Sequence, residues 1–367
     1  MDAKLLTLVV VGVFLCTPMA FVDTDATDTG FDVTDSTGKT IHFDGPAEHI
    51  VTAGLGVTLT VADAGAIDKI VAVDKYSTYS SSKQEQLKDL NAVDLGSFYG
   101  SHENIITELI NLVDGGKLSK DDPLLLTGST SNTALREKLE NIGFTTVLVW
   151  MTSDITEYDD LVSFVKDVSM IAAGVGNDTI QKMTETVDNV KSTVSTISDE
   201  DKAKAISVWY SSKNSTVMIN DHGITHSMLE VCNATDIGYK ESGTGYSGDE
   251  NEIIRLLGEN PGTVIFLSSS WASAGKTVDD FRDEILNGST EFKIVQMGAL
   301  WNNYCPESAD GLLEMGKALY PEAFGSTSPE TPENNSGNND VTMWIIVLLV
   351  AIIICAAAYV VFKRTHK

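Results

Sequence analysis

Apolar and polar positions along this chain follow two alternating rhythms. From Phe31 to Asp44 the apolar residues fall at every second position, Phe31 and Val33 on one arm and Ile41 and Phe43 on the other. Ser36, Thr37, Gly38 and Lys39 separate the arms, so the segment predicts a β-hairpin. Short apolar runs then predict strands over Ile50–Ala53, Lys69–Val73, Pro123–Thr127 and Thr145–Trp150. Helical spacing predicts helices over Thr58–Ala64, Glu103–Val113 and Asn132–Asn141, the last closed by Gly143. Strands alternating with helices imply an α/β lobe with a largely parallel sheet.

Ile155–Ala173 reads as a helix, broken by Gly174, Val175 and Gly176. A second helix follows from Asp178 to Ile197. Its apolar residues Ile180, Met183, Val187, Val190, Val194 and Ile197 recur at alternating three- and four-residue intervals, which makes one stripe. A coiled coil and a single helix packed along two lobes both explain it. The strand–helix rhythm resumes with strands over Ala205–Tyr210, Thr216–Ile219, Thr263–Leu267 and Lys293–Gln296. Helices are predicted over Thr225–Cys232, Glu252–Leu257, Val278–Leu286 and Ala309–Leu319. A weak internal echo links His102–Ile106 and its following strand to Asp249–Ile254 and its own. In both, an acidic residue opens a helix, where a carboxylate suits the helix dipole. The predicted fold class is therefore α/β: two α/β lobes with mainly parallel sheets, joined by one long helix, plus a C-terminal transmembrane helix.

The two ends set the organisation. Leu5–Cys16 is an apolar run behind Lys4, of signal-peptide length. Val341–Phe362 is apolar throughout, long enough to cross a bilayer, and followed by Lys363, Arg364 and Lys367. The expected layout is a signal peptide (1–22), an N-terminal binding lobe (23–176) and an inter-lobe helix (177–200). A C-terminal binding lobe (201–325), a flexible stalk (326–340), a membrane anchor (341–362) and a cytoplasmic tail (363–367) follow. The binding region is then extracytoplasmic, on a single-pass anchor in the cell membrane.

Charge narrows the function classes. A formal charge of -27 over 367 residues repels nucleic acid and anionic lipid surfaces. It reads as a solubility device suited to a salty medium. Cys232 and Cys305 are the cysteines outside the two apolar ends, and in an oxidising compartment they can pair or stay free. Asn-x-Ser/Thr triplets at Asn177, Asn214, Asn233, Asn287 and Asn334 fit a glycoprotein.

No nucleophile elbow, Walker loop or complete dinucleotide fingerprint sits at a strand–helix junction, so no enzyme is predicted, and no catalytic cofactor or metal site. His222 and His226 share helical spacing, but neither an HExxH pattern nor a cysteine cluster supports zinc. His222 is kept as a candidate axial contact to a bound metal complex, against the plainer reading of a surface or capping residue. Aromatic residues near strand ends are more informative, because ligands of parallel α/β folds bind beyond the carboxyl ends of the strands. The candidate ligand contacts are Tyr76, Phe98, Tyr99, Trp150, His222, Tyr246, Trp271 and Trp301. Core packing is the competing reading for each aromatic.

From Phe31 to Phe324 the sequence resembles the class III substrate-binding proteins of ABC importers, which take cobalamin, ferric siderophores or haem. The residues that carry the resemblance are Val33–Gly38, Glu48–Thr52, Leu59–Asp74, Leu139–Phe144 and Met228–Asn233. The resemblance implies two lobes bridged by a rigid helix, a ligand cleft between them, and one acidic residue per lobe that docks on permease arginines. Glu103 matches the first of these, and Glu252 or Glu250 the second. Phe98 or Tyr99, Tyr246 and Trp301 match aromatic ligand contacts. Cys305 departs from the position of the second cysteine in cobalamin binders. No arginine cluster appears in the cleft loops, which disfavours anionic ferric catecholates and favours a bulky, nearly neutral corrinoid. The expected function is delivery of such a chelate to an ABC permease and its ATPase. A membrane-anchored sensor or adhesion ectodomain on the same fold is the alternative.

Overall fold

A computed structural model describes residues 30–81, 84–98, 102–128, 130–151, 157–174, 178–243 and 245–325. The expected signal peptide, stalk, anchor and tail lie outside them. Among the described residues no helix is long and apolar enough to cross a membrane.

The chain divides into two compact units. The first takes the chain up to Asp154 together with Ser163–Thr179, and the second takes Ile155–Val162 and everything from Ile180 onward. In the first unit, β1 (Phe31–Thr34) and β2 (Thr40–Phe43) form the expected hairpin, antiparallel with Phe31 opposite Phe43. There follow β3 (Ile50–Ala53), α1 (Leu55–Asp63), β4 (Ile70–Val73), α2 (Lys75–Ser81), β5 (Val93–Asp94) and α3 (His102–Asp114). Then come β6 (Leu124–Gly128), α4 (Thr130–Asn141), β7 (Thr146–Met151) and α5 (Tyr158–Ala173). The sheet order is β5-β4-β3-β6-β7, and every pair is parallel. All four residues of β3 are buried, as are Leu124, Leu125 and Leu126 of β6. Strands covered on both faces must read as continuous apolar runs, and these do.

The hairpin is fastened to this unit by a polar clasp. Arg136 of α4 places Nη2 3.0 Å from Asp35 Oδ2, with both side chains nearly or fully buried. Its Nη1 donates to Thr37 Oγ1 at 3.0 Å and its Nε to Glu140 Oε1 at 2.9 Å. Partial burial pushes the Glu140 carboxyl up. Hydrogen bonds from Thr146, Lys39 and Arg136 outweigh that and hold it at about 2.

The second unit runs through α6 (Asp178–Val194), β8 (Lys204–Ser211), β9 (Thr216–Asn220), α7 (Ile224–Val231), β10 (Thr235–Asp236) and β11 (Tyr246–Ser247). It ends with α8 (Glu250–Glu259), β12 (Val264–Leu267), α9 (Ser269–Ser273), α10 (Val278–Ile285), β13 (Lys293–Gln296) and α11 (Ser308–Leu319). The sheet order is β11-β9-β8-β12-β13, with β10 paired to β8. This sheet is mixed. β9 runs antiparallel to β8 and to β11, while β10 and β12 run parallel to β8 and β13 parallel to β12. Its core packs Ile206, Val208, Ile219, Ile253, Leu257, Ile265, Leu267, Trp271 and Phe281.

The predicted stripe on α6 is buried at Ile180, Met183, Val187, Val190 and Val194. From Ile180 on, α6 falls within the second unit. Lys191 of α6 bonds Asp159 Oδ1 at 2.8 Å within that unit. The division between units falls within α5, between Val162 and Ser163, and within α6, between Thr179 and Ile180. Cys232 and Cys305 are both buried and not joined in a disulfide, and burial pushes the Cys232 thiol up to about 12. At that value the sulfur is an inert apolar core group.

Candidate ligand-binding edges

The parallel sheet of the first unit directs all its strands to one carboxyl edge. Gly54 turns the chain there between β3 and α1, at φ 121. A Cβ on Gly54 would stand 2.6 Å from Thr127 Cγ2, so only glycine lets this turn approach the end of β6. Asp74 follows β4 and is buried. Its Oδ1 accepts from Ser77 Oγ at 2.6 Å and from Ser77 N at 3.1 Å. The chain of hydroxyls continues from Ser77 to Thr58 at 2.8 Å and from Thr58 to Thr52 at 2.7 Å. Burial raises the Asp74 carboxyl, and the bonds from Ser77, Gly54 and Tyr76 offset only part of that rise.

This network starts α2 at the carboxyl edge. Tyr76 and Tyr79, three residues apart on α2, are 46% and 67% exposed. That spacing sets two rings on one helical face. Lys75 Nζ lies 4.9 Å from the centre of the Tyr76 ring. Phe98 is different. It is 2% exposed and packed among Leu95, Ile105 and Leu109, so its ring is a core element. Trp150 lies in β7 with its backbone opposite Thr127. Tyr99 lies outside the described residues. Glu103 occupies the exposed first turn of α3, and its carboxylate has no hydrogen bond or ion pair among the described residues.

In the second unit the carboxyl edge carries the ends of β8, β12 and β13 and the start of β9. Tyr210, Thr216, Asp249, Glu250, Trp271, Lys276 and Glu284 contribute to a groove of about 700 Å³. Trp271 is 2% exposed. It meets Tyr210 edge-on at 5.1 Å and Phe281 at 5.4 Å, and its Nε1 donates to Thr277 O at 2.7 Å. Its face is covered by Lys276 Nζ at 4.6 Å, which in turn bonds Glu284 Oε1 at 2.7 Å. Trp271, predicted as a ligand contact, is thus nearly buried, its ring engaged by Tyr210, Phe281, Thr277 and Lys276. Three carboxylates and one ammonium line the groove, a balance that favours neutral or cationic ligands over anions.

Trp301 follows β13 and is half-buried. A Cβ on Gly311 would stand 2.6 Å from Trp301 Cβ, and one on Gly298 2.7 Å from its Nε1, so two glycines make the space for this residue. Tyr246 opens β11 opposite Asn220, stays 44% exposed and packs on Trp209 at 4.6 Å. His222 does not join them. β9 is antiparallel, Ile219 is level with Val208, and the chain beyond it heads toward the start of β8. There β10 pairs with Lys204 and Ala205, and His222 stacks on Tyr239 at 5.9 Å. Its neighbour His226 bonds Asp236 Oδ2 at 3.0 Å. Among the described residues no cluster of His, Cys, Asp and Glu could hold a metal ion.

The two expected docking carboxylates also differ. Glu252 receives Arg255 Nε and Nη2, each at 3.1 Å, and this pairing lowers its carboxyl. Glu250, two residues earlier, is exposed and opens α8 behind the Asp249 cap. Asp74 and Lys276 emerge as residues outside the predicted contact set, while Tyr79, like Tyr76, is among the aromatic residues that the sequence singles out beyond a strand. The Asp74-x-x-Ser77 spacing is a capping signal that was available in the sequence.

No protein-family model matches this sequence, and no curated protein does. Solved structures do match in fold. The periplasmic vitamin B12 binding protein BtuF of Vibrio cholerae superposes with a TM-score of 0.56 at 18% identity, over 76% of this chain and 98% of that one. The periplasmic heme-binding protein RhuT from Roseiflexus sp. RS-1 gives 0.55 at 12% identity, over 76% and 99%. CeuE of Helicobacter pylori with Ni(II) bound gives 0.56 at 14%, over 81% and 91%. The chain has the fold of the class III periplasmic binding proteins.

Proposed function

We propose that this chain is an extracytoplasmic substrate-binding protein that captures a bulky metal chelate and delivers it to an ABC importer. A corrinoid is the favoured cargo, with a ferric siderophore or haem next. The observation that carries the reading is the exposed pair Tyr76 and Tyr79, held at the carboxyl edge of an all-parallel sheet by a buried polar network. Rigid aromatic rings there bind a large flat ligand at small entropic cost. Tyr246 and Trp301 are the candidate contacts in the second unit. The acidic groove supports a cargo without net negative charge and so supports a corrinoid over haem with its carboxylates. Binding is the whole of the proposed activity, and no residue is assigned a catalytic role.

The permease and its ATPase are the proposed partners, with Glu103 docking from the first unit and Glu252 or Glu250 from the second. Val341–Phe362 is proposed as the anchor that keeps the binder beside its permease and so raises its effective concentration there. Titration of the full chain with cobalamin, haem and ferric hydroxamates, followed by tryptophan fluorescence, tests the reading. Saturable binding of one chelate, with cobalamin tightest, is expected. Absence of binding across all three would contradict it.

A further inference from the structure

Three of the Asn-x-Ser/Thr triplets lie among the described residues, and the fold treats them differently. Asn233 is half-buried at the end of α7, at φ 53. Its Nδ2 donates to Ile197 O at 3.2 Å and to Val194 O at 3.4 Å, so both amide hydrogens serve carbonyls at the end of α6. Its own carbonyl accepts from Tyr320 Oη at 2.7 Å, and that hydroxyl accepts from Ala203 N at 3.0 Å. Thr235, the third residue of the triplet, is held in β10, its N donating to Ala203 O at 2.8 Å. This asparagine is a structural cap that ties α6, α7 and the start of β8 together.

Asn214 and Asn287 are unlike it. Asn214 sits at the exposed turn between β8 and β9, and Asn287 is exposed just beyond α10, at φ 51. Neither amide makes a side-chain hydrogen bond among the described residues. We infer that Asn214 and Asn287 are N-glycan acceptors and that Asn233, despite its matching triplet, is not. The inference rests on the extracytoplasmic placement proposed above.

The chemistry sets the distinction. The side-chain nitrogen attacks the anomeric carbon of an oligosaccharide carried on a polyprenyl phosphate. An N–C bond forms, the C–O bond to the phosphate breaks, one amide proton passes to a base, and the lipid phosphate leaves. The product retains a single N–H. At Asn233 that leaves one of two helix-end carbonyls without its donor, whether the sugar arrives before or after folding. A groove of about 460 Å³ beside Asn233 has room for a sugar, so the exclusion comes from the hydrogen bonds and not from crowding. At Asn214 and Asn287 no bond is lost.

Glycopeptide mass spectrometry on the full chain, purified from the membranes of its own host, tests this. Glycan is expected on the Asn214 and Asn287 peptides and absent from the Asn233 peptide. Asn287→Gln and Asn214→Gln should each remove one glycan mass, and Asn214→Gln should leave the melting temperature unchanged. Asn233→Gln should leave the glycan mass unchanged and lower the melting temperature by about 2–4 °C. Glycan on Asn233, a chain bare at both Asn214 and Asn287, or an Asn233→Gln variant as stable as the parent overturns the inference. Protease shaving of intact cells separates the two failures: a bare chain that is cleaved from outside leaves the extracytoplasmic placement standing, and a protected one removes it as well.

Discussion

At the carboxyl edge of the first unit, Tyr76 and Tyr79 stand 46% and 67% exposed, whereas at the corresponding edge of the second Trp271 is 2% exposed. The difference follows from what lies beneath each ring. Under α2 the sheet end is filled by a polar chain, Asp74, Ser77, Thr58 and Thr52, which satisfies itself and needs no aromatic cover. Under α9 Trp271 is drawn down onto Phe281 and Tyr210, with Lys276 closing over it, while Ser270 Oγ accepts from Tyr210 N at 3.0 Å. The same residue class at the same topological place is therefore exposed in one unit and packed away in the other.

Truncation should expose that contrast most strongly. Trp271→Ala and Phe98→Ala are expected to cost about 3–5 kcal/mol each in urea unfolding. Tyr76→Ala and Tyr79→Ala should change stability by no more than about 0.5 kcal/mol. Equal losses in the two sets would break the comparison. Chelate uptake by cells separates the proposed docking carboxylates next. Glu103→Gln is expected to lower uptake at least about tenfold, because its carboxylate is free to meet a partner's guanidinium. Glu252→Gln should lower it less, since Arg255 already holds that group, and Glu250→Gln tests the alternative on α8. Loss with Glu252→Gln and none with Glu103→Gln would reverse the assignment.

Asp74→Ala is expected to cost about 1–3 kcal/mol by leaving Ser77 and its neighbours without their acceptor. It should also weaken chelate binding through the displaced α2, although Asp74 itself lies beneath the surface. Unchanged binding would show that the polar layer does not position the tyrosines. The smallest effect concerns acid. Glu140 has its folded-state value lowered from 4.5 to about 2, so the folded state binds fewer protons than the unfolded chain in that window. Its contribution is fully present above 4.5 and is lost as pH falls through about 2. Asp74 and Asp167, raised by burial, act in the opposite sense near their own values. The difference between the parent and Glu140→Gln isolates the Glu140 part: the gap in unfolding free energy should narrow steadily from pH 4.5 down to 2. A constant gap would remove Glu140 from the clasp.

Much of this was legible in the residues. β3 and β13 fall at Ile50–Ala53 and Lys293–Gln296, the limits their patterns predict, and the stripe on α6 is buried as its spacing requires. α2 was not legible as a helix, because Lys75–Ser81 has no apolar period and owes its start to the Asp74 cap. Nor were β10, β11 and α9, which are two to five residues long and take their form from neighbours. The direction of β9 is set by its tight connection from β8, a pairing that no single-strand pattern encodes, and the position of His222 turned on it. Phe98 and Trp271 show the same limit. An aromatic residue beyond a strand reads identically whether the layer under it is polar or apolar.

The most direct test is a fluorescence titration of the full chain and its Tyr76→Ala/Tyr79→Ala double variant with cobalamin. Saturable binding by the parent, with affinity at least about tenfold weaker in the equally stable double variant, is the predicted result. Equal affinity in the two proteins, or no saturation in either, would contradict chelate capture at the carboxyl edge of the first unit.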